Sequence, residues 1–346
     1  MRNLLVTGGA GFIGANFVQH MLQTYPDYRI VVFDKLTYAG NLNNLKPVAD
    51  HPRYAFVQGD ICDAAAVRSA IKQYDIDTIV NFAAETHVDR SILDPDAFVR
   101  TNVYGPYVLC EAAKDLRLER LHHISTDEVY GPIPSGRFRE EDRFNPTSPY
   151  AAAKAGGELL VLSYFRTYNL PVTVTRGVNT YGPYQYPEKA IPLFVTNAID
   201  DQPLPLYGDG SQVRDRLHAL DHARAVDVVL HRGTLGEAYN VAADMEHTNI
   251  DVARRILRLL GKPETLIQPV ADRPAHDVRY ALDAGKLRAL GWQPQIDFEQ
   301  GLADTVRWYV ENEWWWRPLK SGEYLEYYRR QYLERERTLA AEVLKS

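Results

Sequence analysis

In the first half of the chain, short apolar runs alternate with segments whose apolar residues recur at helical spacing. Phe12-Ile13 and Phe17-Val18 mark the first such helix. This alternation predicts an α/β protein with a Rossmann-like, doubly wound parallel sheet, and a ligand at the carboxyl ends of its strands. The runs that predict strands are residues 3–7, 29–33, 54–57, 78–82, 121–125 and 172–175.

The pattern changes after about residue 178, where proline and glycine become frequent and the predicted elements become short. We therefore predict a smaller, mixed α/β lobe that binds the substrate and is interleaved with the first domain. The expected division is a Rossmann domain at 1–178, to which residues of about 215–245 return, and a lobe at 179–320. A C-terminal helical tail at 321–346 either caps the fold or serves an oligomer contact.

Composition narrows the range of partners. The 346 residues include 45 acidic and 39 basic side chains, and the net charge of −6 argues against a nucleic acid or an anionic membrane surface. Two cysteines, Cys62 and Cys110, are too few for a disulfide framework, so we expect reduced thiols. No run approaches the ~18 apolar residues of a membrane helix and no export signal is recognisable, which predicts a cytoplasmic protein. We expect no metal site.

A glycine-rich turn joins the first predicted strand to the first helix. Gly8, Gly11 and Gly14 have the spacing that lets a backbone approach a pyrophosphate at a helix N-terminus. Asp34, 20 residues after Gly14, ends the second strand, where its carboxylate can accept hydrogen bonds from both ribose hydroxyls. The sequence therefore predicts NAD rather than NADP, although Lys35 keeps NADP open and Asp34 could be an ordinary capping residue.

Two further loops follow strands and face the same predicted edge. Asp60, with Ile61 beside it, could accept from the adenine amino group or could cap the next helix. Ala83 and Ala84 are small enough for the backbone to pass close to a cofactor. His87, on the same loop, is either a solvated side chain or a ligand contact.

Tyr150 and Lys154 are four residues apart on a predicted helix, so they share one face. We expect the Lys154 charge to lower the pKa of Tyr150, which makes its phenolate a base for a sugar hydroxyl. The alternative is an amphipathic surface pair. Combined with the glycine turn upstream, the pair favours the catalytic interpretation.

With Thr126-Asp127-Glu128, which follows the fifth predicted strand, the chain resembles the extended short-chain dehydrogenase/reductase family of nucleotide-sugar enzymes (NAD-dependent epimerases and dehydratases). The triplet is similar to that of members that dehydrate dTDP-glucose. The resemblance covers nearly the whole chain, in runs that include residues 34–41, 83–89, 179–189, 207–210, 213–215 and 272–277.

The resemblance implies conversion of dTDP-glucose to dTDP-4-keto-6-deoxyglucose and water, with tightly bound NAD recycled. Oxidation at C4 makes the C5 proton acidic. In that oxidation Tyr150 takes the C4 hydroxyl proton while hydride goes to NAD. Glu128 then removes the C5 proton as Asp127 protonates the departing C6 hydroxyl, before hydride returns to C6. An adjacent Asp and Glu suit these roles if their environments separate their pKa values; the alternative is that both cap the following turn.

The resemblance also assigns binding residues. Thr126 is expected to hydrogen-bond the C4 hydroxyl. The substrate set is His87, Thr126, Asn179, Lys189, Pro205, Tyr207, Arg214, Asn249 and His276, with Lys189 and Arg214 on the diphosphate. The predicted cofactor set, from motif and resemblance together, is Gly8, Gly11, Phe12, Ile13, Gly14, Asp34, Lys35, Leu36, Thr37, Asp60, Ile61, Ala83, Ala84, Thr101, Tyr150, Lys154 and Thr180.

Four residues, at three places in the chain, depart from the family pattern. Gly177-Val178 stands where a Cys-Ser-like pair is usual, Arg216 where an aromatic is usual, and Ala275 where a glycine is usual. Arg216 adds charge near the expected diphosphate, so UDP-glucose stays open as the substrate. A UDP-sugar 4-epimerase, a decarboxylase and a non-catalytic NAD sensor also stay open as functions. The family resemblance implies a homodimer through helices at 95–116 and 148–168.

Overall fold

The computed structural model describes residues 1–272 and 278–334. Seven strands form one sheet in the order β11-β6-β5-β4-β1-β2-β3, and every neighbouring pair is parallel. The predicted Rossmann-like sheet is therefore confirmed. In chain order the strands are β1 Asn3–Thr7, β2 Arg29–Asp34, β3 Tyr54–Gln58, β4 Thr78–Asn81, β5 Arg120–Thr126, β6 Val172–Gly177, β7 Thr180–Tyr181, β8 Leu204–Tyr207, β9 Val213–Asp215, β10 Leu217–His218, β11 Ala238–Val241, β12 Glu246–Thr248 and β13 Ile267–Val270.

The helices cover both faces of the sheet. Among the described residues, none combines the length and apolar character needed to cross a bilayer. The α-helices are α1 Phe12–Thr24, α2 Ala64–Gln73, α3 Val88–Leu93, α4 Pro95–Val99, α5 Gly105–Asp115, α6 Pro149–Tyr168, α7 Ala190–Ile199, α8 Ala219–Arg232, α9 Asn249–Leu260, α10 Gly285–Ala289, α11 Phe298–Glu311, α12 Glu313–Trp316 and α13 Glu323–Tyr328. Short 3₁₀ helices lie at Leu42–Val48, Asp127–Tyr130 and Glu264–Leu266, and π-helical turns at Arg100–Tyr104 and Arg329–Leu333.

Two apolar layers explain why the sheet is buried on both sides. Helices α2, α5 and α6 pack on one face around residues such as Leu5 and Val172, whereas α1 and α8 pack on the other around residues such as Leu4 and Val226. Successive strand residues point to opposite faces of the sheet. Leu4 and Leu5 are nevertheless both fully buried, because helices cover each face. Strands buried in this way consist of continuous apolar runs, which is the pattern that predicted them.

A third apolar cluster forms the smaller lobe from α7, α9, α11 and β8. Its strands pair only in twos: β8 with β13 and β7 with β10 are parallel, and β9 with β12 is antiparallel. The chain crosses between the two parts, since α8 packs on α1 and β11 joins β6 in the main sheet. The exact domain boundaries stay a prediction.

The C-terminal segment packs against the lobe as far as the structure describes it. Trp315 and Trp316 are buried, and their ring N–H groups donate to Asn44 Oδ1 and Tyr309 O, both at 2.8 Å. The helical tail expected at 321–346 begins as α13 and continues as the π-helical turn Arg329–Leu333. Residues 335–346 of the predicted tail lie outside the described part.

The contact between α1 and α8 contains one carboxylate that three groups share. Asp227 accepts hydrogen bonds from His20 Nε2 and Tyr25 OH at 2.7 Å, and lies 2.8 Å from His231 Nδ1. Burial acts to raise the pKa of Asp227, but the hydrogen bonds from His20, His231 and Tyr25 outweigh it and hold the pKa well below its usual value. A depressed carboxyl pKa contributes stability above the unfolded-state pKa, and this stability is lost as the pH falls.

We therefore expect Asp227→Asn to lower the free energy of unfolding by about 2 kcal/mol at pH 7, because the carboxylate charge that His20, Tyr25 and His231 contact is lost. Urea titration of both proteins measures this difference, which should shrink as the pH falls below about 4. Asp115→Asn is the control, since Asp115 forms an exposed pair with Arg68 at 2.7 Å and the substitution should change stability far less than Asp227→Asn does. Equal stability of the Asp227 variant and the wild type at pH 7 would contradict the account.

Candidate active site

A cavity of about 500 Å³ opens at the carboxyl ends of the central strands, between the sheet and the lobe. It brings together both predicted sets: every described member except Leu36 lines it. Leu36 instead donates its backbone N–H to Asp34 Oδ1 at 2.8 Å. His276 lies outside the described residues.

The glycine turn at the end of β1 leaves no room for side chains. Gly8 has φ +68°, and a Cβ there would lie 2.4 Å from Ala83 N. A Cβ on Gly14 would lie 2.4 Å from Gly8 O. Gly11 caps α1 without a side-chain hydrogen bond, so the N–H groups and partial positive charge of the helix terminus can receive a phosphate. This cradle fits the pyrophosphate of a dinucleotide.

Asp34 lies beside the turn with its carboxylate almost buried. Its oxygens accept from Ala10 N at 3.0 Å and Leu36 N at 2.8 Å, which leaves lone pairs for two hydroxyl donors. Burial raises the pKa of Asp34, and these two bonds act against that rise. Lys35 does not pair with Asp34, because its Nζ lies 2.8 Å from Asp60 Oδ2. The residues therefore fit an adenosine ribose without a 2′-phosphate.

Asp60 does not cap the helix that follows it. The cap of α2 is Asp63, whose side chain accepts from Ala65 N and Ala66 N. Asp60 accepts instead from Cys62 N at 2.9 Å and pairs with Lys35. The capping alternative is thus wrong for Asp60, while its adenine contact stays a prediction.

Asp127 and Glu128 follow β5 in two different environments. Thr126 caps the 3₁₀ turn by accepting from Glu128 N, so neither carboxyl group is the cap that the alternative interpretation required. Asp127 is 3% exposed, and burial, followed by the neighbouring Glu128 charge, raises its pKa to about 8. Glu128 is only half-buried and lines the cavity. Burial therefore favours the protonated form of Asp127.

Tyr150 and Lys154 point from the first turns of α6 towards the same cavity. Ser148 caps this helix by accepting from Ala151 N at 3.1 Å, and Pro149 occupies its first turn. Lys154 is buried, and its Nζ donates to Ile124 O at 2.5 Å. The surface-pair alternative is therefore wrong.

The expected effect of Lys154 on Tyr150 is also wrong in this arrangement. Burial, followed by the Glu128 charge, raises the pKa of Tyr150, and only the hydrogen bond with Thr126 lowers it appreciably. Burial lowers the pKa of Lys154 itself to about 8, because the ammonium is taken out of water. The i, i+4 spacing predicted that the two side chains lie close together, but it did not predict that both are removed from water.

The substrate side of the cavity is closed partly by the C-terminal segment. His87 is buried rather than solvated, and its Nε2 lies 3.3 Å from Tyr327 OH. Gln331 Nε2 donates to Tyr207 OH at 2.6 Å, and Tyr332 lines the cavity beside it. The sequence interpretation missed this contact, because nothing in the tail indicated which surface it would cover.

Other predicted contacts hold positions that suit polar ligands. Lys189 Nζ donates to Thr86 O at 2.9 Å. Arg214 donates to Val213 O at 2.8 Å, and its guanidinium lies 4.8 Å from the Tyr280 ring centre.

Glu188, Tyr280 and His222 also line the cavity and were missed. Glu188 lies 3.3 Å from Arg90, and burial raises its pKa. His222 Nδ1 lies 2.8 Å from Thr180 Oγ1, and its ring occupies the space that a Cβ on Gly177 would need. The unusual Gly177 was the one available signal, but the sequence does not show which side chain fills the gap.

A Rossmann sheet whose carboxyl edge holds a dinucleotide cradle, a helix-borne Tyr and Lys, and an Asp next to a Glu is typical of a short-chain dehydrogenase type of nucleotide-sugar enzyme. The family model described as GDP-mannose 4,6 dehydratase matches residues 5–305, and the chain belongs to this family. The resemblance inferred from the motifs is confirmed.

Within this family the chain is similar to several nucleotide-sugar 4,6-dehydratases. The chain is 52% identical over 323 residues to dTDP-glucose 4,6-dehydratase of Streptomyces niveus, covering 92% of this chain and 96% of that one. It is 48% identical over 320 residues to a trifunctional UDP-glucose 4,6-dehydratase of Arabidopsis thaliana, covering 91% of this chain and 48% of that longer protein. The crystal structure of dTDP-glucose 4,6-dehydratase from Bacillus anthracis in complex with NAD superposes with a TM-score of 0.87 at 52% identity, covering 92% and 100% of the two chains.

The glycine turn yields a stability prediction. Gly8→Ala should lower the free energy of unfolding by at least about 2 kcal/mol more than Gly261→Ala, measured by urea titration. Both glycines have positive φ, +68° and +65°, but a Cβ on Gly261 meets nothing within 4 Å. The control therefore measures the backbone contribution alone, about 1 kcal/mol. Equal losses would show that Gly8 is required for its φ and not for the close approach to Ala83.

Proposed function

We propose that this protein is an NAD-dependent hydro-lyase that converts dTDP-glucose to dTDP-4-keto-6-deoxyglucose and water. The observation that carries the proposal is the pairing of a buried, protonated Asp127 with a more exposed Glu128 at one cavity wall. Loss of water needs an acid for the leaving hydroxyl and a base for the neighbouring proton. A carboxyl group whose pKa is raised by burial can supply the acid, and the less buried carboxyl group beside it can supply the base.

Tyr150 and Thr126 serve the first step. Tyr150 and Thr126 line the cavity together, where both can hydrogen-bond the C4 hydroxyl. Only the phenolate of Tyr150 can accept the C4 proton, and because burial raises the pKa of Tyr150, the positive charges of Lys154 and of bound NAD have to stabilise that phenolate in the complex. NAD, when bound, takes up the C4 hydride and later returns it to C6. Lys154 lies one helical turn beyond Tyr150 and holds a cation at the inner wall, where it can orient a ribose.

Glu128 and Asp127 serve the second step. Once C4 is a ketone, the C5 proton is acidic, and the carboxylate of Glu128 removes it. The C5 electron pair forms the C5–C6 double bond, the C6–O bond breaks, and Asp127 gives its proton to the departing hydroxyl, which leaves as water. The raised pKa keeps the Asp127 proton available at neutral pH. When hydride returns to C6, Glu128 gives C5 a proton that has exchanged with solvent, and the ionised Asp127 recovers its proton from solvent.

UDP-glucose is a second candidate substrate for the same reaction. The Arabidopsis relative acts on a UDP-sugar, and Arg216 departs from the usual pattern beside the nucleotide lobe. A 4-epimerase or a decarboxylase does not need an acid at C6, and a non-catalytic NAD sensor would need neither Tyr150 nor Lys154. The buried Asp127 therefore favours a dehydratase over these three functions.

The direct test is incubation of the purified protein with dTDP-glucose, and separately with UDP-glucose, in heavy water. Mass spectrometry and NMR should show loss of one water and deuterium at C5 of the product. Whichever nucleotide turns over faster is the preferred substrate. No water loss from either sugar, with NAD supplied, would reject the proposed reaction.

Variants of the two carboxyl groups should separate the two halves of the elimination. Asp127→Asn should lower product formation roughly 10²- to 10⁴-fold, while Glu128 still exchanges the C5 proton of the substrate with heavy water. Glu128→Gln should abolish both exchange and product. NMR of recovered substrate measures the exchange. If Asp127→Asn also abolishes the exchange, or Glu128→Gln preserves it, the two roles are assigned wrongly.

We also propose a cytoplasmic homodimer formed through helices α4, α5 and α6. Exposed apolar side chains lie on this surface, including Val99, Tyr104, Tyr107 and Leu159. Exposed apolar side chains grouped on neighbouring helices are typical of an interface between subunits.

Sedimentation velocity should therefore give twice the 39.3 kDa chain mass. Leu159→Glu should shift the protein to the monomer, because it buries a charge in an apolar interface. Leu259→Glu is the matched control: Leu259 is 48% exposed, close to the 56% of Leu159, but lies on α9 in the lobe. A monomeric wild type, or a Leu159 variant that stays dimeric, would reject this interface.

A further inference from the structure

The C-terminal segment presents two polar side chains to the substrate side of the cavity. Tyr327 lies in α13, and Gln331 follows it by four residues in the π-helical turn, so the two lie on nearly the same face. Tyr327 OH lies 3.3 Å from His87 Nε2, and Gln331 Nε2 donates to Tyr207 OH at 2.6 Å. One face of the segment therefore contacts two of the side chains predicted to bind the substrate.

A different face of the same segment packs against the lobe. Tyr324 is 2% exposed, and Tyr328 OH accepts from Asn197 Nδ2 at 3.2 Å. The rings of Tyr324 and Tyr328 stack with their centres 6.2 Å apart, whereas Leu325 is 54% exposed. Because these lobe contacts fix the segment, the position of Tyr327 does not depend on His87 alone.

The Tyr327 ring is held between two neighbours. The Arg90 guanidinium, which pairs with Glu188 at 3.3 Å, lies 5.1 Å from the centre of the Tyr327 ring. The His87 ring meets the Tyr327 ring edge-on, with 5.2 Å between the ring centres and 74° between the planes. His87 is buried, so a protein group rather than bulk water has to hold this ring nitrogen. A hydrogen bond at one nitrogen fixes the tautomer and the orientation of an imidazole.

We infer that Tyr327 is a positioning residue for His87: its hydroxyl group holds the imidazole in the orientation that binds the nucleotide sugar. The C-terminal segment is then part of the substrate site, in addition to the capping or oligomer role expected of the tail. The inference rests on the proposed function, because it takes His87 to contact a nucleotide-sugar substrate. An imidazole that is ordered before binding loses less conformational freedom in the complex, so the hydroxyl group strengthens binding more than it speeds the chemical steps.

The test is calorimetric titration of dTDP-glucose, and separately of UDP-glucose, into protein loaded with NADH. NADH cannot accept a hydride, so the sugar binds without being oxidised. Tyr327→Phe removes the hydroxyl group but keeps the ring beside Arg90, and it should weaken binding roughly 5- to 15-fold. Tyr328→Phe is the matched control: it changes the next residue of the same helix, loses only the contact with Asn197, and should bind like the wild type.

Two further measurements separate positioning from a general effect on packing. In a His87→Ala background, Tyr327→Phe should cause no additional loss of affinity, because the hydroxyl group acts through the imidazole. In the NAD-loaded enzyme, Tyr327→Phe should raise KM by a similar factor and change kcat less than about twofold.

Unchanged affinity of Tyr327→Phe, an equal loss in Tyr328→Phe, or a full loss that persists in the His87→Ala background would each overturn the inference. A fall in kcat without a rise in KM would also overturn it, as would a wild type that binds neither sugar nucleotide. Failure of the proposed function is a separate result: a wild type that binds dTDP-glucose with the help of Tyr327 but releases no water from it.

Discussion

Parallel strands that are buried on both faces end at the same edge of the sheet, and the site depends on this constraint. It brings together the turn after β1, the loop after β4, the acid–base pair after β5 and the loop after β6, which are far apart in the chain. The turn after β1 and the loop after β4 approach each other at Gly8 and Ala83, where they leave no space for a Cβ. The fold thereby sets the width of the cofactor cradle before any ligand is present.

Burial at this edge sets the chemistry of its side chains. It raises the pKa of Asp127 and lowers the pKa values of Lys154 and Arg216, and the neighbouring charges of Glu128 and Arg214 add to the effect on Asp127 and Arg216. The ionised form of each of these three groups would be more stable if the group were exposed to water. The protein retains them at a free-energy cost that the packing of the surrounding layers offsets, and a bound nucleotide sugar would relieve part of that cost.

Local patterns in the sequence predicted most of the fold and the centre of the site. Each of these patterns depends on only a few neighbouring residues: a buried apolar run, a glycine turn or an i, i+4 pair. The sequence therefore predicted the central strands and the placement of Gly8 and Lys154 at the site. Contacts between distant segments were not: the Lys35–Asp60 pair, the His222 ring at Gly177 and the tail residues at His87 depend on packing that no local pattern encodes. The rise in the pKa of Tyr150 was missed for the same reason, since desolvation is a property of the assembled cavity.

The central claim is that burial keeps Asp127 protonated beside Glu128. The most direct measurement is an infrared titration of protein labelled with ¹³C at aspartate carboxyl groups, with Asp127→Asn subtracted to isolate one residue. The account predicts that the carboxyl band of Asp127 shows a protonated group at pH 7 and titrates near pH 8. A carboxylate that is already ionised at pH 7, with a midpoint near the ordinary value of about 4, would contradict it.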